Sequence, residues 1–158
     1  MSIPYFDAVG PVTLRFRAMP EAETKAKYLD MPGAKSLIYN VTTLLQGGDT
    51  IHVAEGEVDC MTLDQMGLNA IGISGATKWA PHWKQLLNGY SRIVVLCDND
   101  EAGLEMGKAL KQRMPNTFVQ LKPAPEGHDV NSAYLALGRD ALLDYWSLGS
   151  EEESNGND

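Results

Sequence analysis

The sequence predicts an α/β fold built on a parallel sheet of about four strands, and three observations carry that expectation. From residue 51 onward, apolar runs of strand length alternate with segments of helical period, the pattern of strands joined by crossover helices. One run, "RIVVLC" (92–97), is apolar without a break, as expected for a strand covered on both faces. The length of 158 residues with 44% apolar residues suits one domain with a small appendage.

The elements follow in order. "VTLRFR" (12–17) alternates with period two and reads as a half-exposed strand, with Val12, Leu14 and Phe16 on one face and Thr13, Arg15 and Arg17 on the other. "PEAETKAKYLDMPG" reads as helical or irregular, "SLIYN" as another short strand, and "GGD" (47–49) as a turn at a boundary. "IHVAE" is a strand, and "EVDCMTLDQMG" a short helix ended by Gly67. "NAIGIS" is a strand. "PHWKQLLNGY" is a helix with Trp83, Leu86, Leu87 and Tyr90 on one side. "EAGLEMGKALKQRM" is a helix, "TFVQLKP" a strand, and "VNSAYLALGRDALLDYW" one helix or two split at Gly138. The organisation expected is a small N-terminal α+β segment over 1–49, the α/β domain over 50–148 and a disordered acidic tail over 149–158.

Composition narrows the function classes. No run of about 18 apolar residues exists, so no membrane span is expected, and "MSIPYFDAVG" lacks the layout of a signal peptide. Cys60 and Cys97 lie in apolar segments without a CxxC pair, which reads as buried, reduced thiols in a cytoplasmic protein rather than a zinc site. The formal charge of −8 argues against nonspecific nucleic-acid binding by the whole surface. The charge is uneven, however: the tail "EEESNGND" holds four acids and no base, while the first 35 residues hold five bases against four acids.

Ligands of open parallel sheets bind at the carboxyl ends of the strands. Glu55 ends the first strand of the α/β region, Asp98 and Asp100 end the third, and Asp129 lies in the loop after the fourth. Clustered carboxylates without local bases are costly unless something neutralises them, and oxygen donors of this kind suit Mg²⁺ or Mn²⁺. Two such ions can clamp the attacking and leaving oxygens of a phosphoryl transfer. Asp100 reads equally well as the N-cap of the next helix. Glu57 and Asp59 fall in a helix first turn, where the dipole favours acids, and Asp59 is alternatively a salt-bridge partner or a second-metal ligand.

"IHVAEGEVDCMTLDQMG", "AIGISGAT", "VVLCDNDEAG" and "GHDVNSAY" together resemble the TOPRIM domain of bacterial and phage DnaG-type primases over roughly residues 50–137. The features are a strand-ending Glu-Gly with an Asp four residues after the Glu, a DxD followed by Ala-Gly, and a late Asp. The resemblance implies a Rossmann-like TOPRIM domain. It implies Glu55 as acid–base or metal-proximal carboxylate, Asp98 and Asp100 as metal ligands, and Asp129 as the further acid. Asn131 stands where cellular primases usually carry a second Asp. The segment before it, "VTLRFR…KYLDMPGAKSLIYN", looks like the region preceding TOPRIM in phage primases, which would place Arg15, Arg17 and Lys27 in a basic groove for template and primer.

That resemblance implies RNA primer synthesis on single-stranded DNA from ribonucleoside triphosphates, dependent on Mg²⁺ or Mn²⁺, in the cytoplasm (the host's, for a phage-encoded protein). Neither the family's zinc-binding module nor its helicase-docking module fits in 158 residues. The chain therefore reads as a minimal phage-type primase core, as a subunit completed by a separate zinc-binding or primase-completing chain, or as a fragment. A replicative helicase is the expected partner. The alternatives are a TOPRIM nuclease cutting RNA or DNA, in which Glu55 is a natural general acid or base, and a degenerate, non-catalytic TOPRIM subunit binding primer–template or helicase.

Overall fold

The computed structural model describes residues 1–19, 21–74 and 79–148. The tail expected over 149–158 and the last three residues of the quoted "AIGISGAT" lie outside the described residues.

Two sheets form. The N-terminal one is antiparallel, β1 (Ser2–Phe6), β2 (Pro11–Arg17) and β3 (Tyr28–Asp30), in the order β1-β2-β3. Only β2 was expected. β1 contains Pro4, which cannot donate to the ladder, and as an edge strand it tolerates it. β3 is three residues inside a stretch read as helical or irregular. "SLIYN" does not make a strand. Tyr39 forms a single antiparallel bridge with Gly72, and Asn40, with φ 56°, then turns the chain into a short 3₁₀ segment, Val41–Gln46.

The second sheet is parallel, as expected: β4 (Thr50–Ala54), β5 (Ala70–Gly72), β6 (Arg92–Cys97) and β7 (Phe118–Pro123), in the order β5-β4-β6-β7. The connections carry α1 (Glu57–Gln65), α2 (Trp83–Leu87) and α3 (Glu101–Arg113). After β7 come α4 (Val130–Leu137) and α5 (Arg139–Trp146), split at Gly138. That glycine has φ +81°, a conformation that costs most other residues dearly.

The apolar run of β6 is buried on both sides. Ile93, Val95 and Cys97 face a core with Trp83, Leu87, Met106 and Leu110 of α2 and α3. Val94 and Leu96 face a second core with Leu63, Ala133, Leu142 and Trp146 of α1, α4 and α5. Both cysteines are fully buried and unpaired. Among the described residues, no helix is long and apolar enough to cross a membrane.

The strand order decides where a ligand can sit. From β4 the chain first steps outward to β5 and then returns to the other side of β4 to lay down β6. The switch point is the crevice between the carboxyl ends of β4 and β6, the place where open α/β sheets take their ligands.

Candidate functional site: a carboxylate edge under a basic sheet

The residues that leave β4 and β6 at this crevice are Glu55 and Asp98. They touch through the backbone: the Asp98 N–H donates to Glu55 Oε1 at 3.0 Å. Burial, then the negative charges of Asp98, Asp100 and Asp59, push the Glu55 carboxyl up to about 7. Asp98 is pushed up to about 6 by burial and by Asp59, Asp129 and Asp100. Its Oδ1 is buried and has no hydrogen-bond partner. A carboxylate oxygen left in that state calls for a cation or a proton.

The other two expected acids also terminate helices. Asp100 caps α3, its Oδ1 accepting from the Gly103 N–H at 2.8 Å. Asp129 caps α4 through a capping box, accepting from the Ser132 N–H at 2.6 Å, which with the Ser132 hydroxyl holds its carboxyl below the usual range despite its partial burial. Capping and proximity to the cluster therefore coexist at both positions. The two roles separate by mutation. Asp129→Ala is expected to cost about 1 kcal/mol of stability for the lost cap, whereas Asp129→Asn keeps the cap and removes only the charge. Thermal melting of the two variants with and without Mg²⁺ checks this.

Asp59 belongs to the same cluster. Its charge acts on Asp98 more strongly than that of Asp129 or Asp100, and burial raises its own carboxyl, against the Asn131 N–H that donates to it at 3.2 Å. The sequence signal was its place in the first turn of α1, four residues after Glu55. Asn131 does not point a donor set at the crevice: its side chain donates to Thr62 Oγ1 at 2.9 Å and ties α4 to α1.

The N-terminal sheet turns the arginine face of β2 inward and its apolar face outward. Leu14, Phe16 and Leu29 stand exposed on the outer face, and Arg15 and Arg17, with Ile3, Tyr5 and Tyr28, lie on the inner one. Arg15 is only 12% exposed, its guanidinium taken up by partners within the protein. Its Nη1 donates to Glu57 Oε1, its Nε lies 2.9 Å from Asp30 Oδ1 as an ion-pair contact, and its guanidinium stacks 4.5 Å from the Tyr28 ring centre. Arg17 and Lys27 flank the same ring, at 5.6 and 6.0 Å. They also reach the crevice electrostatically. Lys27 favours ionisation of Asp98 and Asp129, and Arg17 that of Asp59 and Asp129. Two cations thus act on three of the five clustered carboxylates, Asp59, Asp98 and Asp129.

Among the described residues, no three His, Cys, Asp or Glu side chains close into a ready-made metal cage. The donor set still fits Mg²⁺ or Mn²⁺. Mg²⁺ keeps several waters and takes one or two carboxylates plus substrate phosphates, and Asp98, directly after β6, carries a buried carboxylate oxygen without a hydrogen-bond partner.

Residues 52–134 match the Toprim-like family model. The chain is 37% identical over 131 residues to the gene 57 protein of Mycobacterium phage D29, covering 83% of this chain and 84% of that protein. It is 36% identical to a DNA primase of Clostridium acetobutylicum, covering 89% of this chain but 25% of the primase. Among solved structures it is similar to a DNA primase domain from Pseudomonas aeruginosa, with a TM-score of 0.77 and 25% identity, over 92% of this chain and 50% of that one. The chain therefore spans a quarter to a half of these primases.

Proposed function

From the premise that the chain belongs to the Toprim-like family, in its DnaG-primase branch, we propose that it is a phage-type primase core or primase subunit. In this reading residues 1–49 are a primase-core-like segment and 50–148 the TOPRIM domain. It builds RNA primers on single-stranded DNA from ribonucleoside triphosphates, in the cytoplasm, alongside a replicative helicase and a separate chain carrying the zinc-binding or remaining primase parts. The observation that carries the proposal is the facing of Asp98, with its unpartnered buried oxygen, and Glu55 at the sheet's switch point, beneath Arg17 and Lys27.

Each group has a task in nucleotidyl transfer. Asp98, with Asp100, Asp129 and Glu55 around it, would hold the divalent ions. Bound Mg²⁺ or Mn²⁺ supplies a lowered pKa for the primer 3′-hydroxyl and neutralises charge on the triphosphate. Arg17 and Lys27 bind phosphate from the opposite wall. Glu55, braced by the Asp98 N–H, orients the neighbouring Asp98 and resists a second full charge beside it.

The value near 7 at Glu55 also favours a second reading, a TOPRIM nuclease in which that carboxyl shuttles a proton at neutral pH. One denaturing gel separates the two. The protein is incubated with Mg²⁺ or Mn²⁺, single-stranded DNA and labelled ribonucleotides, beside end-labelled DNA and RNA. Short new products that vanish in Glu55→Gln and Asp98→Asn establish primer synthesis. Shortened input strands with the same dependence establish a nuclease. An unreacted gel sinks the stand-alone enzyme and leaves the subunit.

A further inference from the structure

Glu57 is a charged side chain with 1% exposure, two residues past Glu55, and the chemistry proposed above does not use it. Burying a carboxylate is costly unless charge and hydrogen bonds compensate it. Here three donors converge on its Oε1: the Tyr5 hydroxyl from β1, Arg15 Nη1 from β2, and Ser74 Oγ at 3.1 Å from the end of β5. Arg15 Nη1 also donates to Ser74 Oγ at 2.8 Å. Two of the donors come from the N-terminal sheet, and Glu57 and Ser74 come from the parallel domain. Arg15 also pairs with Asp30 and lies over the Tyr28 ring, both on β3, so all three N-terminal strands meet at one point. Apolar contact adds direction: Tyr5 meets Tyr39 edge-to-face at 5.2 Å.

We infer that Tyr5, Arg15, Glu57 and Ser74 form a polar joint that fixes the angle of the N-terminal sheet over the carboxylate edge, and that Arg15 and Glu57 are positioning residues for Arg17 and Lys27. A greasy interface of the same size would hold the two sheets together but would permit sliding; hydrogen bonds converging on one oxygen specify a single register. Arg17 is two residues from Arg15 on the same strand face, and Lys27 precedes the ring on which Arg15 stacks. Moving the joint moves both cations relative to Asp98 and Asp129. The consequence for phosphate binding rests on the reading of the edge as a metal–phosphate site; the geometric part does not.

The test uses the full chain with nitroxide labels at Lys25→Cys and Lys111→Cys, both exposed positions, since Cys60 and Cys97 are buried and stay unlabelled. Removing one partner alone leaves an uncompensated buried charge and risks unfolding. The main variant is therefore Arg15→Met with Glu57→Leu, because replacing a buried ion pair by apolar residues of similar size is often neutral for stability; Tyr5→Phe is the mild single change. Melting confirms folding, electron-spin distance measurements report the sheet's angle, and Mn²⁺ binding is titrated with and without ATP. The expected result is a single narrow distance in the parent and a broadened or shifted one in the double variant. Mn²⁺ binding alone is then unchanged, and Mn²⁺-dependent ATP binding is weakened by on the order of tenfold. A distance distribution as narrow and as placed in the double variant as in the parent overturns the joint. So does a parent distribution that is already broad. If the distances respond as expected but Mn²⁺ binds none of the proteins, the joint stands and the metal–phosphate reading fails.

Discussion

Freed of divalent ions, the protein is expected to lose stability as pH rises from about 4.5 to 7, and Asp98→Asn is expected to flatten much of that loss while removing metal-dependent activity. The sign follows from linkage. Asp98 and Glu55 are pushed up to about 6 and about 7, from ordinary values of 3.8 and 4.5. The folded state thus holds their protons more tightly than the unfolded chain does. Their contribution is fully present below the unfolded values and is lost as pH climbs through the folded ones. Each unit is worth about 1.4 kcal/mol at full effect; both groups are partly exposed, so solvent screening reduces the pair to roughly 2–3 kcal/mol. Glu57 and Asp129 work the opposite way, but in another window. Their carboxyls are lowered by Tyr5, Arg15 and Ser132 against burial, so their contribution is present above the usual carboxylate range and lost only at more acidic pH.

Denaturant midpoints across this pH range, in chelator and in Mg²⁺, measure the effect. Mg²⁺ binds the ionised carboxylates of the folded state alone and should restore the stability lost at neutral pH. In Asp98→Asn the apo-protein should be more stable than the parent at pH 7 and should gain little from Mg²⁺. A pH profile as steep in that variant as in the parent would remove Asp98 from the centre of the cluster.

The parallel half of the fold was legible because period and composition agreed there. The apolar run of β6, the Gly67 stop and the Asp-led starts of α3 and α4 each point the same way. The carboxylates were legible for the same reason: strand ends of a parallel sheet share one edge, and the order β5-β4-β6-β7 then sets Glu55 against Asp98. The N-terminal sheet was less so. Alternation in β2 separates two faces but carries no sign, and the usual guess puts the apolar face inward. Here the inner face is the arginine face, because a buried acid on the other sheet, Glu57, draws Arg15 in. That partner is 42 residues away, beyond the reach of any local pattern. Asp59 was legible as a first-turn acid, with a salt bridge or second-metal ligation as the alternatives, because its position suits the helix dipole as well as the crevice.

Gly103→Ala should damage both the fold and the site, by a mechanism that the Ala-Gly following the DxD makes specific. Gly103 sits in the first turn of α3, where its N–H reaches Asp100. A Cβ there would overlap the backbone carbonyl of Asp98 and Glu55 Oε1. Neither yields freely: the carbonyl is main chain directly after β6, and Glu55 is held by the Asp98 N–H. Overpacking of this kind costs about 1–3 kcal/mol, offset by the gain of up to about 1 kcal/mol from alanine in a helix. Activity should fall further, by about 100-fold, since a shift near 1 Å in catalytic groups has that scale. Gly107→Ala is the control. Its Cβ would overlap the Leu121 side chain on β7, away from the crevice, and a side chain can turn aside. That variant should lose some stability and keep its Mg²⁺-induced rise in melting temperature, whereas Gly103→Ala should lose the rise. Retention of the rise in both variants would show that α3 does not set the spacing of Glu55 and Asp98. Loss in Gly103→Ala alone ties that spacing to the absence of one carbon atom.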